Sequence, residues 1–376
     1  MNRKDIKMMT PVTKVLLLIM GVGFSVSLYL MIFGHGASTN LNDMWPWGFL
    51  IGSAVLVGVA MAAGGFIIAG MVYILNWKKY KPVVRPAVLT SFFGYLMAAT
   101  AIFLDIGHHF RVWHPIVMWQ VNSIMFIVAI HVVLYTTTLA TESSPMIFEK
   151  LNMKKALNFV NKIMVPVVLF GVLLSILHQS SLGALYLIVP SKLSPLWYSS
   201  KLPHLFLVSA VMMGLSMVSF ETIISTKAFK HKPPMDILTG LARWTMIVGS
   251  FYFVLKLWNL ITGPGIGAAF DGSVAANMYL IEIIIGIILP LILLSRKGLR
   301  NGLNGIFTAN ILVITGIIVN RINVGIFGLA KYTSRSGFDY FPSWMEIAVA
   351  LALIALAVFG FKVSTKYLNL FPETSH

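Results

Sequence analysis

The sequence predicts an all-α protein that crosses a membrane ten times. Of its 376 residues, 58% are hydrophobic and only 11% are charged, whereas a soluble domain carries about 25% charged residues. Apolar runs long enough to cross a hydrocarbon core of about 30 Å recur along the whole chain. Lysines and arginines concentrate in every second connection between these runs. Such an alternation is typical of a chain that passes back and forth through a bilayer.

Ten apolar segments follow one another, and glycine and proline mark many of the connections. The first segment follows a basic stretch and has no small-residue cleavage site, so we interpret it as a retained anchor. We expect one integral membrane domain over residues 1–376, with halves at about 47–177 and 204–328. The predicted spans are 13–34, 47–76, 86–106, 116–142, 158–177, 204–226, 240–262, 276–295, 303–328 and 344–366.

Basic residues predict the orientation of the chain. Twenty-one of the 28 lysines and arginines lie at the termini or at the even-numbered connections. By the positive-inside rule, both termini are cytoplasmic. Two further cations, Lys256 and Arg321, lie inside spans. The odd-numbered connections contain five, namely Arg111, Lys192, Lys201, Lys331 and Arg335.

The composition also excludes several kinds of protein. Without cysteine, the chain forms no disulfide and binds no iron–sulfur cluster through thiolates. The net charge of +16 is explained by basic residues that flank membrane spans, so we do not expect nucleic-acid binding.

Three ionisable residues are predicted at similar depth in the second half of the chain. Lys256, Glu282 and Arg321 each lie several residues inside a span, where charges are costly and therefore candidates for function. One interpretation is a structural ion-pair cluster completed by nearby amides. The other is a role in handling protons or substrate. The amides are Asn259, Asn320 and Asn323.

A second group of polar side chains is predicted at the outer face of the first half. Histidine titrates near neutral pH and can hydrogen-bond a redox carbonyl or relay protons to it. The alternatives are solvated histidines and an interfacial belt of tryptophans. The candidate residues are Asp105, Arg111, Trp113, His114, His178, Gln179 and Ser180, with His108, His109 and His204 on the same face.

Three further residues suggest a proton path from the inner face: His131, Glu142 and Glu221. The two glutamates could equally be solvated helix ends. Haem is not expected, because His131 is predicted about 22 Å from the outer edge and His178 at that edge. The sequence also lacks a CxxCH motif. No spacing of histidines predicts a metal site.

The chain resembles the NrfD/polysulfide reductase membrane-subunit family, in particular the HybB-type membrane subunit of uptake hydrogenases. The order and spacing of many short motifs carry the resemblance. They are WPWG (45–48), AAGGF (62–66), RPAVLTSFFGY (85–95), DIGHHFRVW (105–113), VNS (121–123), LHQSSLGAL (177–185), FE (220–221), IE (281–282), NR (320–321) and YFPSWMEI (340–347).

The resemblance implies two four-helix bundles plus two additional helices, in a bacterial or archaeal cytoplasmic membrane. It implies a quinone of the menaquinone or ubiquinone type as substrate, and no haem, iron–sulfur cluster or metal in this chain. The partners implied are a periplasmic, ferredoxin-like iron–sulfur subunit and a hydrogenase, another catalytic subunit or a multihaem cytochrome. Three sites depart from the family pattern: His108-His109 replaces a usual Arg-Pro, Ile127 replaces a common glutamate, and Asn259 replaces a commonly acidic residue.

We therefore expect a quinone-reactive subunit of a respiratory oxidoreductase. His178 is expected to hydrogen-bond the quinone, with Asp105 orienting it or passing protons and the other outer residues shaping the pocket and the partner contact. His131, Glu142 and Glu221 are the expected proton relay, and Lys256, Glu282 and Arg321 are mainly structural with a possible part in proton coupling. The alternatives are a structural membrane anchor without quinone chemistry and a secondary ion transporter.

Overall fold

The computed structural model describes residues 7–228, 232–330, 337 and 339–370. Within these residues the chain forms helices and loops without strands. Ten helices are long and apolar enough to cross a membrane, which confirms the predicted class and count. Some cations of the orientation argument lie outside the described residues, namely Arg3, Lys4, Lys230, Lys331 and Arg335.

The ten helices are numbered in chain order, and we call the end of the molecule that carries Asp105 the outer end. Short π-helical turns form the first and last turns of α2 and interrupt α8 and α9, and such turns are frequent at functional sites. The helices are α1 (Pro11–Phe33), α2 (Ile51–Ile74), α3 (Lys78–Asp105), α4 (Ile124–Lys150), α5 (Lys154–Ile188), α6 (Leu202–Ala228), α7 (Met235–Thr262), α8 (Val274–Ser295), α9 (Leu303–Ala330) and α10 (Trp344–Tyr367).

Eight of these helices form two four-helix bundles. In the first bundle, α2, α3, α4 and α5 each contact the next helix, and α5 also contacts α2. Helices α6, α7, α8 and α9 close a second ring in the same way. Helix α2 contacts both α6 and α9, so it joins the two bundles.

The remaining helices, α1 and α10, pack against each other, and α10 lies against α3. Helix α1 begins at Pro11 after the N-cap Thr10, and proline is well tolerated at a first helical position. Helix α10 begins with a capping box in which Ser343 and Glu346 satisfy each other's backbone N–H groups. Lys362 of α10 donates to the Thr13 hydroxyl at 2.5 Å, which ties the two helices together.

Two predicted spans were misplaced, with consequences for the site. The fourth span was predicted at 116–142 but runs from Ile124 to Lys150, and the fifth was predicted at 158–177 but runs from Lys154 to Ile188. Residues 116–123 are largely apolar yet form a surface loop. Helix α5 continues through His178 and Gln179 because these polar side chains are buried among helices rather than exposed to water.

Close helix crossings depend on glycine, most clearly between α8 and α9. A Cβ atom on Gly286 would lie 2.7 Å from the Gly316 Cα atom, and a Cβ atom on Gly316 would clash with the backbone of Gly286. Small residues allow membrane helices to approach this closely, and the packing that results holds them together.

We expect Gly316→Ala to lower the free energy of unfolding by about 1–3 kcal/mol, because the backbone of α8 must move to admit the methyl group. Thermal unfolding of the purified protein in detergent measures the effect. Gly21→Ala in α1 is the matched control, since a Cβ atom there meets no atom within 4 Å. Equal melting of both variants would contradict this account of the crossing.

Candidate functional site

The interior of the first bundle contains a group of aromatic and hydroxyl side chains, which we call the central cluster: Tyr95, His131, Tyr135, Ser175 and His178. The ring of His178 is fully buried and lies 5.5 Å from that of Tyr95 and 6.0 Å from that of His131, measured between centroids. The rings of Tyr95 and Tyr135 are 4.5 Å apart. His131 and Tyr135 both belong to α4, and both can face the cluster because residues four apart share a helix face.

The polar atoms of the central cluster are poorly satisfied. Both ring nitrogens of His178 are buried without a hydrogen-bond partner among the described residues, as is Nδ1 of His131. The hydroxyls of Tyr95 and Tyr135 lie beside that of Ser175, but none of the three makes a hydrogen bond of good geometry among the described residues. Buried polar groups nearly always have hydrogen-bond partners. The unpaired donors and acceptors of the central cluster could therefore bind water or another molecule.

The predicted depths of His131 and His178 were wrong. His131 lies seven residues inside α4, not fifteen, and His178 lies ten residues inside α5, not at its edge. The two rings therefore meet in the bundle. The argument from depth against haem therefore fails. Whether these two histidines could hold a haem depends instead on how the rings around them are packed.

Asp105 and His178, which were expected to act together, are at different levels. Tyr95 contacts His178 and lies ten residues before Asp105 on the same helix, an axial distance of about 15 Å. Gln179 is also occupied elsewhere, because its side-chain NH₂ donates to the Val59 carbonyl at 2.8 Å. Ser180 is half-buried on the next position of α5.

The remaining predicted pocket residues lie on the surface. Arg111 and Trp113 are exposed, and His114 is half-buried with its ring 4.4 Å from that of Trp113. These three belong to the loop between α3 and α4. The structure does not bring them together with His178.

Asp105 belongs instead to a group at the outer end, which we call the outer cluster: Trp45, Asp105, Tyr186, Tyr340 and Glu346. Asp105 lies within electrostatic range of Tyr186, Tyr340 and Glu346. The Tyr340 hydroxyl donates to Glu346 at 2.5 Å and accepts from the Phe49 N–H at 2.8 Å. Burial, together with the Glu346 carboxylate, raises the pKa of Tyr340 above its ordinary value.

Two members of the outer cluster carry unpaired polar atoms. The hydroxyl of Tyr186 and the indole nitrogen of Trp45 are buried without a hydrogen-bond partner among the described residues. Trp47 packs on Tyr186 with ring centroids 4.9 Å apart. The sequence analysis did not identify these four aromatic residues as site residues. Trp45, Trp47 and Tyr340 lie in the motifs WPWG and YFPSWMEI. The fourth, Tyr186, directly follows LHQSSLGAL.

A pair of histidines borders the outer cluster. The rings of His35 and His109 are 6.4 Å apart, and Nδ1 of His109 lies 2.8 Å from the Phe103 carbonyl. Burial lowers the pKa of His35, and His109 lowers it further, while Glu346 acts in the opposite direction. The fold therefore favours neutral His35.

Stability is expected to depend on pH through His35. Its pKa in the folded protein lies below the ordinary value of 6.5, so its contribution is complete above that pH and decreases as the pH falls towards the lowered pKa. Melting temperatures measured between pH 7.5 and 5 should fall for the unaltered protein and fall less for His35→Asn. His204→Asn, at an exposed histidine, should retain the full dependence, and an identical profile for His35→Asn would refute the assignment.

At the inner end of the first bundle, a cavity of about 80 Å³ lies beside Glu142, with Tyr73, Arg85 and Asn161 in its lining. One carboxylate oxygen of Glu142 fits against Gly171, where a Cβ atom would lie 2.7 Å away. The other is buried without a hydrogen-bond partner among the described residues. Glu142 was expected at the end of a span but lies eight residues inside α4.

Glu221 occupies a separate place. Its carboxylate accepts a hydrogen bond from Thr90 at 2.7 Å, across the contact between α6 and α3. A small void beside it is lined by Val83, Pro86 and Ala87, which lie on the face of α3 opposite the face that borders the Glu142 cavity. The two glutamates, predicted as one path, are therefore separated by α3.

The second bundle contains the predicted group of charges, which we call the charged cluster: Lys256, Glu282, Asn320, Arg321 and Asn323. Lys256 forms an ion pair with Glu282. The Glu282 carboxylate also accepts from Asn320 at 2.8 Å, Asn323 at 2.9 Å and the Trp197 indole at 3.1 Å. The expected proximity of the three ionisable residues is confirmed.

The guanidinium group of Arg321 has hydrogen-bond acceptors, but none of them is a carboxylate of the described residues. Its guanidinium donates to Asn320 at 2.7 Å and to the Ser209 hydroxyl at 2.9 Å, and it lies 3.8 Å from the centre of the Phe206 ring. Asn259, expected among the hydrogen-bonding amides, lines a small void beside Lys256. The full pairing of Glu282 contrasts with the unpaired atoms of the central cluster and is the arrangement that a structural role predicts.

Comparison with known proteins places this chain in one family. The model of the family "Polysulphide reductase, NrfD" matches residues 37–331. A protein of Nitratidesulfovibrio vulgaris is 36% identical over 363 residues, which cover 92% of this chain and 91% of that one. The probable Ni/Fe-hydrogenase 2 b-type cytochrome subunit of Escherichia coli is 30% identical over 347 residues, with coverages of 91% and 88%.

A third relative is named for a quinone. The integral membrane subunit of menaquinone reductase from Nitratidesulfovibrio vulgaris is 28% identical over 363 residues, covering 89% of this chain and 85% of that one. Two of these relatives are named as subunits of a hydrogenase and of a menaquinone reductase, and this chain has ten helices long and apolar enough to cross a membrane. The chain belongs to the NrfD/polysulfide reductase family.

Proposed function

We propose that this protein exchanges electrons between the quinone pool of a bacterial or archaeal cytoplasmic membrane and an iron–sulfur subunit bound at its outer end. Family membership and the menaquinone reductase relative support a quinone-linked role. The main observation in support of a quinone site at the outer cluster is the Tyr186 hydroxyl. It is buried without a hydrogen-bond partner among the described residues and lies within electrostatic range of Asp105. A quinone carbonyl would accept a hydrogen bond from this hydroxyl.

The quinone head group would bind at the outer cluster rather than at His178. Trp47 packs against Tyr186 with its ring tilted and offers an apolar surface beside it. Reduction of a quinone to a quinol takes up two electrons and two protons, and a carboxyl group such as that of Asp105 can donate and accept those protons. His178 is enclosed by Tyr95 and His131 about 15 Å below Asp105.

The central cluster would carry protons between the Glu142 cavity and the outer cluster. His131, Tyr135 and Glu142 lie on one face of α4, and their unpaired polar atoms leave hydrogen-bonding sites for intervening water. His131 thereby replaces the family glutamate that is isoleucine at position 127. Glu221 would serve the contact between the bundles instead.

Glu142→Gln tests this proton path, because an amide cannot release a proton. We expect quinone-linked turnover of the purified complex to fall roughly tenfold or more, with partial recovery in Glu142→Asp. Glu149→Gln is the control at the same end, since Glu149 is half-exposed and paired with Arg85. Unchanged turnover in Glu142→Gln would exclude Glu142 from the path.

The residues present do not fit a haem. The name of the Escherichia coli relative includes a b-type cytochrome, and such a haem requires two axial ligands. His131 and His178 approach each other, but Tyr95 packs on His178 and Tyr135 packs on Tyr95. The two histidine rings contact each other edge to face in this packing, and we propose that they hold no macrocycle between them. The described residues also contain no group of three histidines and acids suited to a metal ion.

The electrons would therefore pass to and from a partner. Without cysteine, this chain has no thiolate for an iron–sulfur cluster. An extrinsic iron–sulfur subunit, connected to a hydrogenase or another catalytic subunit, would supply that group. Two of the relatives carry names of hydrogenase and menaquinone reductase subunits, which supports this kind of assembly.

Quinone binding tests the proposal directly. The chain purified in lipid nanodiscs that contain menaquinone should retain quinone after exchange into quinone-free lipid, measured by solvent extraction and mass spectrometry. Tyr186→Phe should reduce the retained amount, whereas Tyr367→Phe, at an exposed tyrosine of α10, should not. A protein that retains no quinone would instead be a structural anchor for the extrinsic subunits.

A further inference from the structure

The connection between α3 and α4 is longer than the fold requires. Helix α3 ends at Asp105, α4 begins at Ile124, and the two helices pack against each other. Adjacent helices are commonly joined by about 2–8 residues, yet this connection uses residues 106–123. We call it the outer loop.

The outer loop adds almost nothing to the protein core. His109 is its single buried residue, and it fastens the loop to the end of α3 through its contacts with Phe103. Eight apolar side chains of the loop are exposed, from 42% for Val112 to 91% for Phe110. They are Phe110, Val112, Trp113, Ile116, Val117, Met118, Trp119 and Val121. So many exposed apolar groups in one short segment indicate that another apolar phase covers them.

Three features identify that phase as lipid. First, the loop satisfies polar groups internally: the Trp119 indole donates to the Ile116 carbonyl at 2.8 Å. Short helical turns, at His109–Arg111 and His114–Val117, pair backbone groups. Internal pairing of this kind lowers the cost of placing backbone and indole polar groups beside lipid.

Second, the exposed surface of the loop continues onto a helix that faces lipid. Trp119 packs against Phe126 of α4 with ring centroids 6.2 Å apart. Met125, at the beginning of α4, is 51% exposed, and Val133 lies exposed further along the same helix. The apolar surface of the loop is therefore an extension of the lipid-facing surface of α4.

Third, the charge of the loop suits a phospholipid surface. Residues 106–123 include no aspartate or glutamate, whereas Arg111, His108 and His114 can carry positive charge. An apolar surface that contains tryptophan and basic residues is the composition of interfacial membrane segments. Arginine at that level can reach the phosphate groups while its alkyl part stays among apolar neighbours.

We infer that the outer loop is an interfacial membrane anchor, which lies in the headgroup region of the outer leaflet with its exposed apolar side chains directed into the lipid. The occupant of this surface is the phospholipid bilayer itself. The anchor would hold the outer end of the first bundle, including Asp105, at the level of the headgroups. The inference does not depend on the proposed quinone chemistry.

Site-directed spin labelling can test this inference directly, because the chain contains no native cysteine. Single cysteines at Val117 and Val121 would carry nitroxide labels in the full-length chain, in nanodiscs of phosphatidylethanolamine and phosphatidylglycerol. Leu173→Cys is the lipid control, since Leu173 is 54% exposed in the middle of α5. Ser200→Cys, in an exposed outer turn, is the water control.

We expect the ratio of oxygen to nickel-chelate accessibility at both loop labels to exceed the Ser200 ratio several-fold and to approach the Leu173 ratio. Ratios equal to the Ser200 value would show a water-exposed loop and overturn the inference. The same labels should stay oxygen-accessible in the complex with its native extrinsic subunits. Loss of access to both reagents on assembly would identify a protein-docking surface instead and would equally overturn the inference.

Discussion

Replacement of Glu282 by glutamine is expected to lower the free energy of unfolding by about 3–5 kcal/mol, because it leaves a buried cation without its partner. The Glu282 carboxylate is the acceptor shared by Lys256, Asn320, Asn323 and Trp197. Glutamine keeps one oxygen acceptor but removes the negative charge that balances Lys256. Thermal and denaturant unfolding of the purified chain, with the yield of folded protein, would measure the loss.

Two further variants separate this electrostatic effect from a general loss of packing. The double variant Lys256→Met/Glu282→Gln removes both charges and should be more stable than Glu282→Gln alone. Glu149→Gln breaks the ion pair with Arg85. Because the Arg85 and Glu149 side chains are 28% and 30% exposed, this loss should lower the free energy of unfolding by about 1 kcal/mol or less. A double variant no more stable than the single variant would show that the charge of Lys256 is not the cause.

Asp105→Asn is expected to reduce quinone-linked turnover of the assembled complex roughly 100-fold or more, because asparagine cannot donate or accept the proton. Asn and Asp have nearly the same shape, so the outer cluster should keep its packing. The reduction of soluble dyes by the extrinsic subunits should be unchanged, since that reaction does not pass through the membrane subunit. Steady-state assays with a water-soluble quinone, compared with dye assays on the same preparation, measure both activities.

Asp43→Asn provides the matched control for Asp105. Asp43 is an exposed aspartate in the connection between α1 and α2, and its replacement should leave both activities intact. The amount of bound extrinsic subunit, measured by gel filtration, should be the same for all three proteins. Quinone-linked turnover in Asp105→Asn equal to that of the unaltered complex would exclude Asp105 from the proposed site. It would favour the earlier prediction that the quinone binds at His178.

The fourth and fifth spans show why part of the site escaped prediction from sequence. Residues 116–123 are apolar enough to resemble a span, yet they belong to the outer loop. His178 and Gln179 are polar enough to resemble a helix end, yet they lie inside α5. Hydropathy averages the polarity of a segment and cannot distinguish a side chain that faces lipid from one that faces another helix. These two errors together concealed the contact between His131 and His178.

The charged cluster was better predicted because its signal is local. A lysine, a glutamate and an arginine inside apolar segments are conspicuous, and similar depths in three consecutive spans favour contact. The outer cluster gave no such signal, because Trp45, Tyr186 and Tyr340 are common at membrane boundaries. Only packing brings Trp47 onto Tyr186 and Tyr340 onto Glu346.

The sequence by itself determined that the chain is helical, crosses a membrane ten times and belongs to a family of oxidoreductase membrane subunits. These properties depend on the length and polarity of segments and on the order of short motifs, which are all local. The tertiary structure decided which groups lie near each other: Tyr95 beside His178, Glu142 beside its cavity, and Asp105 within electrostatic range of Glu346. Those contacts depend on the rotation and register of each helix against its neighbours, and many distant residues together determine both.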